Sequence, residues 1–373
     1  MHPPSQDRLT KPARADINRS VDLYGNTYLH ALCRNGAPLA LVAEAVRTLG
    51  ADVNARNNAG YSPLRYAVEF GNPETAAYLL KHGARARYDA GQGKTYNAVI
   101  GAVYRGRGEV MDAVLKNGGA SHVNDNGIDS RGDLEKMPVL NLAVQKYQYD
   151  QLPALVAAGA DMRRTAPDTG FTAIMQAVNN DAAGAIHTLV RLGADINGRG
   201  GAGTAHAGQT ALHLAAQSDH RSTVTDMLLR LGADLELRDA KGRTPLMIAI
   251  DAGNRRMTET LLKAGADPNA RNTQENGETA LMLAARKGNS DGASMLLAYK
   301  ADPLLANKFN QTAAKIASDN PGSNRSQYDP MMGFSAPQPK TMLIDAEQKA
   351  TAKKFEEQYR AQQRGKKNGN HKP

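Results

Sequence analysis

One segment recurs along the chain, and no other feature narrows its fold as much. "GNTYLHALCRNG" (25–36), "GYSPLRYAVEFG" (60–71), "GFTAIMQAVNND" (170–181), "GQTALHLAAQSD" (208–219), "GRTPLMIAIDAG" (242–253) and "GETALMLAARKG" (277–288) are variants of one pattern, with weaker copies at 97–106, 138–147 and 311–318. The Thr-equivalent positions, Thr27, Ser62, Asn97, Pro138, Thr172, Thr210, Thr244, Thr279 and Thr312, follow one another at intervals of 33 to 41 residues. A second landmark closes most copies, as in "LGADVNAR", "AGADMRR", "LGADLELRD" and "AGADPNAR". A repeat of this length is one supersecondary unit that cannot bury its own apolar face, so copies must stack.

The residues within a copy say what that unit is. Thr or Ser can N-cap a helix, and Pro suits the first helical position because its missing N–H is an orphan there anyway. "L-x-x-A-A" puts large and small apolar residues on one helical face, so a short helix can approach its neighbour closely. Runs such as "TDMLLRLG" (225–232) and "TETLLKAG" (258–265) give a second helix closed by a glycine. The Asp-, Asn- and Gly-rich stretch that follows is turn chemistry. These units resemble ankyrin repeats, marked by T-P-L-H-x-A-A, a middle Gly and a closing G-A-D-x-N. The resemblance covers about residues 22–321, as eight full copies and a terminal half copy. It implies an all-α ankyrin-repeat solenoid of stacked helix pairs with hairpin-like fingers, and a non-enzymatic role in binding another protein.

Charge and composition exclude other classes. The net charge of +9 is carried by the two ends of the chain, and the middle is close to neutral, which argues against a basic groove through the fold. A single cysteine, Cys33, leaves no internal disulfide, and neither an apolar leader nor an 18-residue apolar run is present. A cytoplasmic, monomeric protein is expected.

Apparent catalytic motifs lack their context. "GQGKT" (91–95) has the lysine and threonine of a phosphate loop, but Tyr88 stands where the first glycine belongs, so it reads as the finger entering the third repeat. "GRGGAG" (198–203) matches G-x-G-x-x-G outside any βαβ unit and reads as a lengthened loop. His206, His213 and His220 are spaced by seven, but the resemblance makes His30 and His213 structural, bonded to neighbouring backbone, and one remaining histidine is not a metal site. Cys33 takes a small buried position. No catalytic residue, cofactor, metal or small-molecule substrate is expected.

The resemblance further implies that free positions line a concave surface: the residue before the capping Thr, and the two after the small pair. Repeats two to five place Tyr61, Tyr96, Met137 and Phe171 in the first row, with Glu69/Phe70, Tyr104/Arg105, Gln145/Lys146 and Asn179/Asn180 in the second. Repeats six to eight place polar residues there, among them Gln209, Arg243 and Glu278. Ten of the thirteen tyrosines precede residue 150. Arg34, Tyr61, Phe70, Tyr96, Tyr104, Arg105, Lys146 and Phe171 are therefore the expected contact residues for a partner protein, exposed on one side of the stack. The alternative is that these rings pack on neighbouring fingers or under the 123–137 insertion.

Outside the array lie a basic lead (1–21), a Ser-, Pro- and Gly-rich linker (322–341), a polar helix over 342–363 with Ile344, Ala352, Phe355 and Tyr359 as a thin apolar stripe, and a basic disordered tail (364–373). A runner-up function is an adaptor whose C-terminal tail contacts nucleic acid or an anionic membrane. Another is a bacterial effector delivered to a host cell.

Overall fold

A computed structural model of the chain describes residues 11–91, 94–125, 137–274, 276–320 and 339–369. Gln92 and Gly93 of "GQGKT", most of the 123–137 insertion, most of the 322–341 stretch and the last four residues of the tail lie outside the described residues. The chain divides into two compact units, Met1–Asn180 with Gly184–Asp195, and Asp181–Ala183 with Ile196–Pro373.

The first unit stacks helix pairs α1 (Tyr28–Arg34) and α2 (Leu39–Arg47), α3 (Pro63–Phe70) and α4 (Pro73–Lys81), then α5 (Ala98–Tyr104) and α6 (Gly108–Lys116). It continues with α7 (Val139–Gln145) and α8 (Leu152–Ala157), then α9 (Ala173–Asn179) and α10 (Ala183–Arg191). Strands β1 (Arg87–Gly91) and β2 (Lys94–Asn97) make one finger a true antiparallel hairpin. The first helices of successive pairs pack on one another, α1 on α3, α3 on α5, α5 on α7 and α7 on α9. The second unit repeats the plan with α11 (Ala211–Ala216) and α12 (Ser222–Arg230), α13 (Pro245–Asp251) and α14 (Arg255–Lys263), α15 (Ala280–Lys287) and α16 (Ser290–Ala298), then α17 (Ala313–Asp319) alone.

The repeated residues act as their chemistry requires. Thr172, Thr244, Thr279 and Thr312 accept the third backbone N–H of their helices. Where the copy carries histidine, Thr27 and Thr210 donate their backbone N–H to Nδ1 of His30 and His213. Nε2 therefore holds the proton and donates to the next finger, to the Tyr61 carbonyl at 2.8 Å and the Arg243 carbonyl at 3.0 Å. The closing Asn of G-A-D-x-N clamps the following copy: Asn54 donates to the Gly83 carbonyl and accepts from the Arg85 N–H. Asn269 does the same at Lys300 and Asp302. Burial completes each unit, with Leu29, Leu64 and Leu142 in the first and Leu246, Leu261 and Leu281 in the second at or near zero exposure.

The C-terminal helix α18 spans Pro339–Gly369, longer than 342–363 at both ends. The sequence expected a linker up to 341 and disorder from 364, but the helix takes in residues of both. Pro339 suits a first helical position, and the Ala-, Glu-, Gln-, Lys- and Arg-rich run has high helix propensity. α18 packs on α15, α16 and α17 through Leu343, which is fully buried.

Candidate functional site

The expected contact surface of the first unit follows the ends of α1, α3, α5 and α7. Phe70, the last residue of α3, is 50% exposed and stacks on Tyr66 at 6.1 Å between ring centroids. Tyr104 closes α5 half-buried, with the Lys146 ammonium 4.1 Å above its ring. Arg105 pairs with Glu69, tying the end of the α5 copy to α3. Arg34, in the last turn of α1, lies half-buried with Tyr61, Tyr66 and Phe70 along an open cleft of about 530 Å³.

Two expected contact residues are not on this surface. Tyr96 is 1% exposed and Phe171 is 6% exposed, so neither presents its ring to a partner. Tyr96 lies on β2, packed against Tyr88 at 5.3 Å and beneath the Arg65 guanidinium at 5.1 Å. Gly101 makes the room: a Cβ there would stand 2.8 Å from the Tyr96 hydroxyl. Burial pushes the Tyr96 phenol well above its usual pKa, and the hydroxyl has no hydrogen-bond partner among the described residues. Phe171 sits at a finger base, where its carbonyl accepts from the Asn141 amide and the Ala166 N–H. The same row is buried at Asn26, Gln209 and Glu278. The residue before the cap is buried in most copies of this chain; Met137, Arg243 and Gln311 are half-buried, and so is Tyr61. Its ring has the guanidinium of buried Arg65 at 3.6 Å.

The structure adds residues that the repeat pattern did not single out. Leu23 and Tyr24, at the tip of the first finger, are 96% and 69% exposed and line the cleft. Tyr147 is 66% exposed and holds φ 60°. Other copies place Gly36, Gly71, Gly106, Gly253 and Gly288 at this helix end, all with positive φ. An aromatic where the pattern wants glycine was the sequence signal for it.

In the second unit the fingers before α13 and α15 and the ends of those helices are charged and internally paired, while α11 ends at polar Gln217 and Ser218. Asp239 accepts two hydrogen bonds from the Arg243 guanidinium, at 3.0 and 2.8 Å. Asp251 stands 3.7 Å from Arg243 and 2.7 Å from Lys287, and Glu278 pairs with Arg286.

The motif fragments acquire structural settings. Lys94 and Thr95 belong to strand β2, and the next helix starts at Ala98, so no helix N-terminus follows the loop as a phosphate cradle requires. The 198–203 segment closes a finger, with Gly200 N–H donating to the Gln209 carbonyl at 2.7 Å. His206 bonds Gln209. Cys33 is buried, and burial raises its thiol far above the reactive range. Among the described residues no cluster of three or more His, Cys, Asp or Glu is placed to hold a metal, and no helix is long and apolar enough to cross a membrane.

Comparison with known proteins places this architecture. Family models for ankyrin repeats match residues 7–90 and 200–272 (three copies) and 271–317 (many copies), together more than half of the chain. The E3 ubiquitin-protein ligase KEG of Arabidopsis thaliana is 28% identical over 257 residues, 66% of this chain and 15% of that protein. The nuclear factor NF-kappa-B p105 subunit of Gallus gallus is 30% identical over 173 residues, 46% of this chain and 16% of that one. The B-cell lymphoma 3 protein homolog of Mus musculus is 27% identical over 245 residues, 65% of this chain and 52% of that one. The chain thus spans about half or less of the length of these relatives. Ankyrin repeats are protein–protein interaction modules, and the helix pairs, capping threonines and G-A-D-x-N clamps of both units are theirs: the chain belongs to the ankyrin-repeat family.

Proposed function

We propose that the chain is a non-enzymatic scaffold that binds another protein through the inner face of its first unit, centred on repeats one to four. The observation that carries this reading is the continuous row of Phe70, Tyr104, Arg105, Lys146 and Tyr147, partly or largely exposed at successive helix ends. Aromatic and Arg side chains anchor interfaces, and a row of them is informative where isolated exposed rings are not. Phe171 no longer belongs to the surface, so repeat five drops out and the first finger enters. The ligase activity in one relative's name belongs to a protein of which this chain matches only 15%. A photocrosslinking residue at position 104 or at position 217 tests the reading in the native cell. Crosslinks to a protein partner are expected from 104 and not from 217; the reverse would overturn it.

A second reading makes α18 the contact, with nucleic acid or an anionic membrane. Residues 351–358 are all exposed, and Phe355 is 73% exposed. Deleting from 342 would strip buried Leu343 from the stack, so the informative truncation removes residues after Ala350. Retained binding by that truncation supports the first reading, and loss supports the second.

A further inference from the structure

We infer that the cleft between the first two fingers receives an acidic peptide segment carrying one large apolar side chain. This rests on the reading that the first unit binds protein, and it adds the place and the ligand chemistry.

The cleft is preformed. Asn58 donates its backbone N–H to the Tyr24 carbonyl at 2.9 Å and its side-chain amide to the Leu23 carbonyl at 3.2 Å. Gly25, at φ 76°, permits that approach, since a Cβ there would collide with the Asn58 side-chain oxygen. Tyr66 stiffens the wall, with ring centroids 6.0 Å from Tyr61, 6.0 Å from His30 and 6.1 Å from Phe70. Its hydroxyl accepts from the Asn57 amide at 3.2 Å. Leu23, Tyr24 and Phe70 leave apolar surface at the rim uncovered among the described residues. A large apolar side chain between them would gain burial without first rearranging the site.

Charge decides what accompanies that side chain. The nearby acids are already committed: Asp22 accepts from the Tyr24 N–H and from the N–H and side-chain amide of Asn26, and Glu69 pairs with Arg105. Arg34 has no carboxylate within salt-bridge distance among the described residues, although it lies half-buried in the cleft. A guanidinium beside low-polarity walls favours a carboxylate more than water does, and bidentate geometry adds to it. The cleft therefore offers an apolar seat and one guanidinium held in no salt bridge, with the Asp22 carboxylate acting on it only at longer range and already bonded to Tyr24 and Asn26.

The test uses the full chain and fluorescent synthetic peptides with a central Leu or Phe flanked by Glu, compared with the same peptides carrying Gln or Lys in place of Glu. Anisotropy reads affinity, and hydrogen exchange maps the footprint. The Glu series should bind about tenfold tighter than the Gln series, and the Lys series weakest. Arg34→Gln should erase the Glu-over-Gln preference with melting unchanged, Phe70→Ala should weaken both series, and protection should fall on 22–26 and 57–61. Equal binding of Glu and Gln peptides, a preference that survives Arg34→Gln, or no binding by any peptide overturns the inference. A footprint on α5 and α7 would overturn it while leaving protein binding by the first unit intact. Crosslinking from position 217 but not position 104 would instead remove that reading itself.

Discussion

On the inner helix ends of the first unit, Lys146 lies over Tyr104 and Arg34 faces Tyr66 and Phe70 across a cleft. On the fingers and helix ends of the second, Arg243, Arg286 and Lys287 lie against Asp239, Asp251 and Glu278. The chain holds no Phe, Tyr or Trp between Phe171 and Tyr299, so the ends of α11, α13 and α15 carry no aromatic, and the exposed ring among the second unit's described fingers is Phe309, before α17. Two of the acids, Asp239 and Glu278, are buried, so their pairing satisfies charges that would be costly to leave alone, while the more exposed Asp251 pairs contribute little stability. A partner approaching the second unit would meet charges mostly paired with one another, whereas one approaching the first finds, beside the Arg105–Glu69 pair, half-exposed rings and an Arg34 in no salt bridge among the described residues. The same repeat is thus internally satisfied in one region and open in the other.

The largest effects should fall on the core and ignore this contrast. Leu64→Ala and Leu246→Ala each empty a fully packed site and should cost about 2–5 kcal/mol in denaturant unfolding. Phe70→Ala should cost well under that, because its ring is half exposed. A Phe70 variant that unfolds like the leucine variants would make the ring a packing residue and break the distinction.

Acid should act next, and locally. Burial holds His213 at about 4 and lowers His30 as well. Their folded values lie below the unfolded value of about 6.5, so their contribution is full above that pH and is lost as pH falls from there towards the folded value. His213 alone should remove about 3 kcal/mol between neutrality and pH 4. Repeats two to five carry Arg65, Ile100, Asn141 and Met175 at the equivalent position. Chemical denaturation of His213→Met across this range should show a flatter pH dependence, and an unchanged slope would deny the histidine this role.

Two smaller effects probe the aromatic side directly. Tyr147→Gly relieves a left-handed backbone and should raise stability by about 1 kcal/mol while weakening partner binding. Stabilisation with binding unchanged would leave Tyr147 without a role. Tyr96→Phe removes a buried hydroxyl that lacks a partner and should stabilise by up to about 1 kcal/mol, readable as a rise in Tm. A drop in Tm would show that the hydroxyl is satisfied.

The fold was legible because its signals are local. A capping Thr, a Pro after it, a Gly at the helix end and an Asn in the closing turn each act within a few residues of where they stand. The binding face was half legible. Phe70, Tyr104, Arg105 and Lys146 follow from helical position alone. Tyr96 does not, because its burial depends on Arg65 and Tyr88 in the preceding copy and on Gly101 beneath it. In α18 the apolar stripe was visible in the sequence, but the stack takes Leu343 and leaves Ala352 and Phe355 exposed. Which apolar residue docks depends on the shape of α15, α16 and α17, which no local pattern encodes.

The central claim is that the first unit carries the partner site and the second does not. Titration calorimetry of the crosslinked partner, once purified, measures this most directly. It would compare the chain with Phe70→Ala/Tyr104→Ala/Lys146→Ala and with Gln217→Ala/Ser218→Ala/Lys287→Ala. The first variant should stay folded and lose about 2 kcal/mol or more of affinity, with the second within a few tenths of the unaltered chain. Equal affinities for all three, or a loss confined to the second variant, would contradict the account.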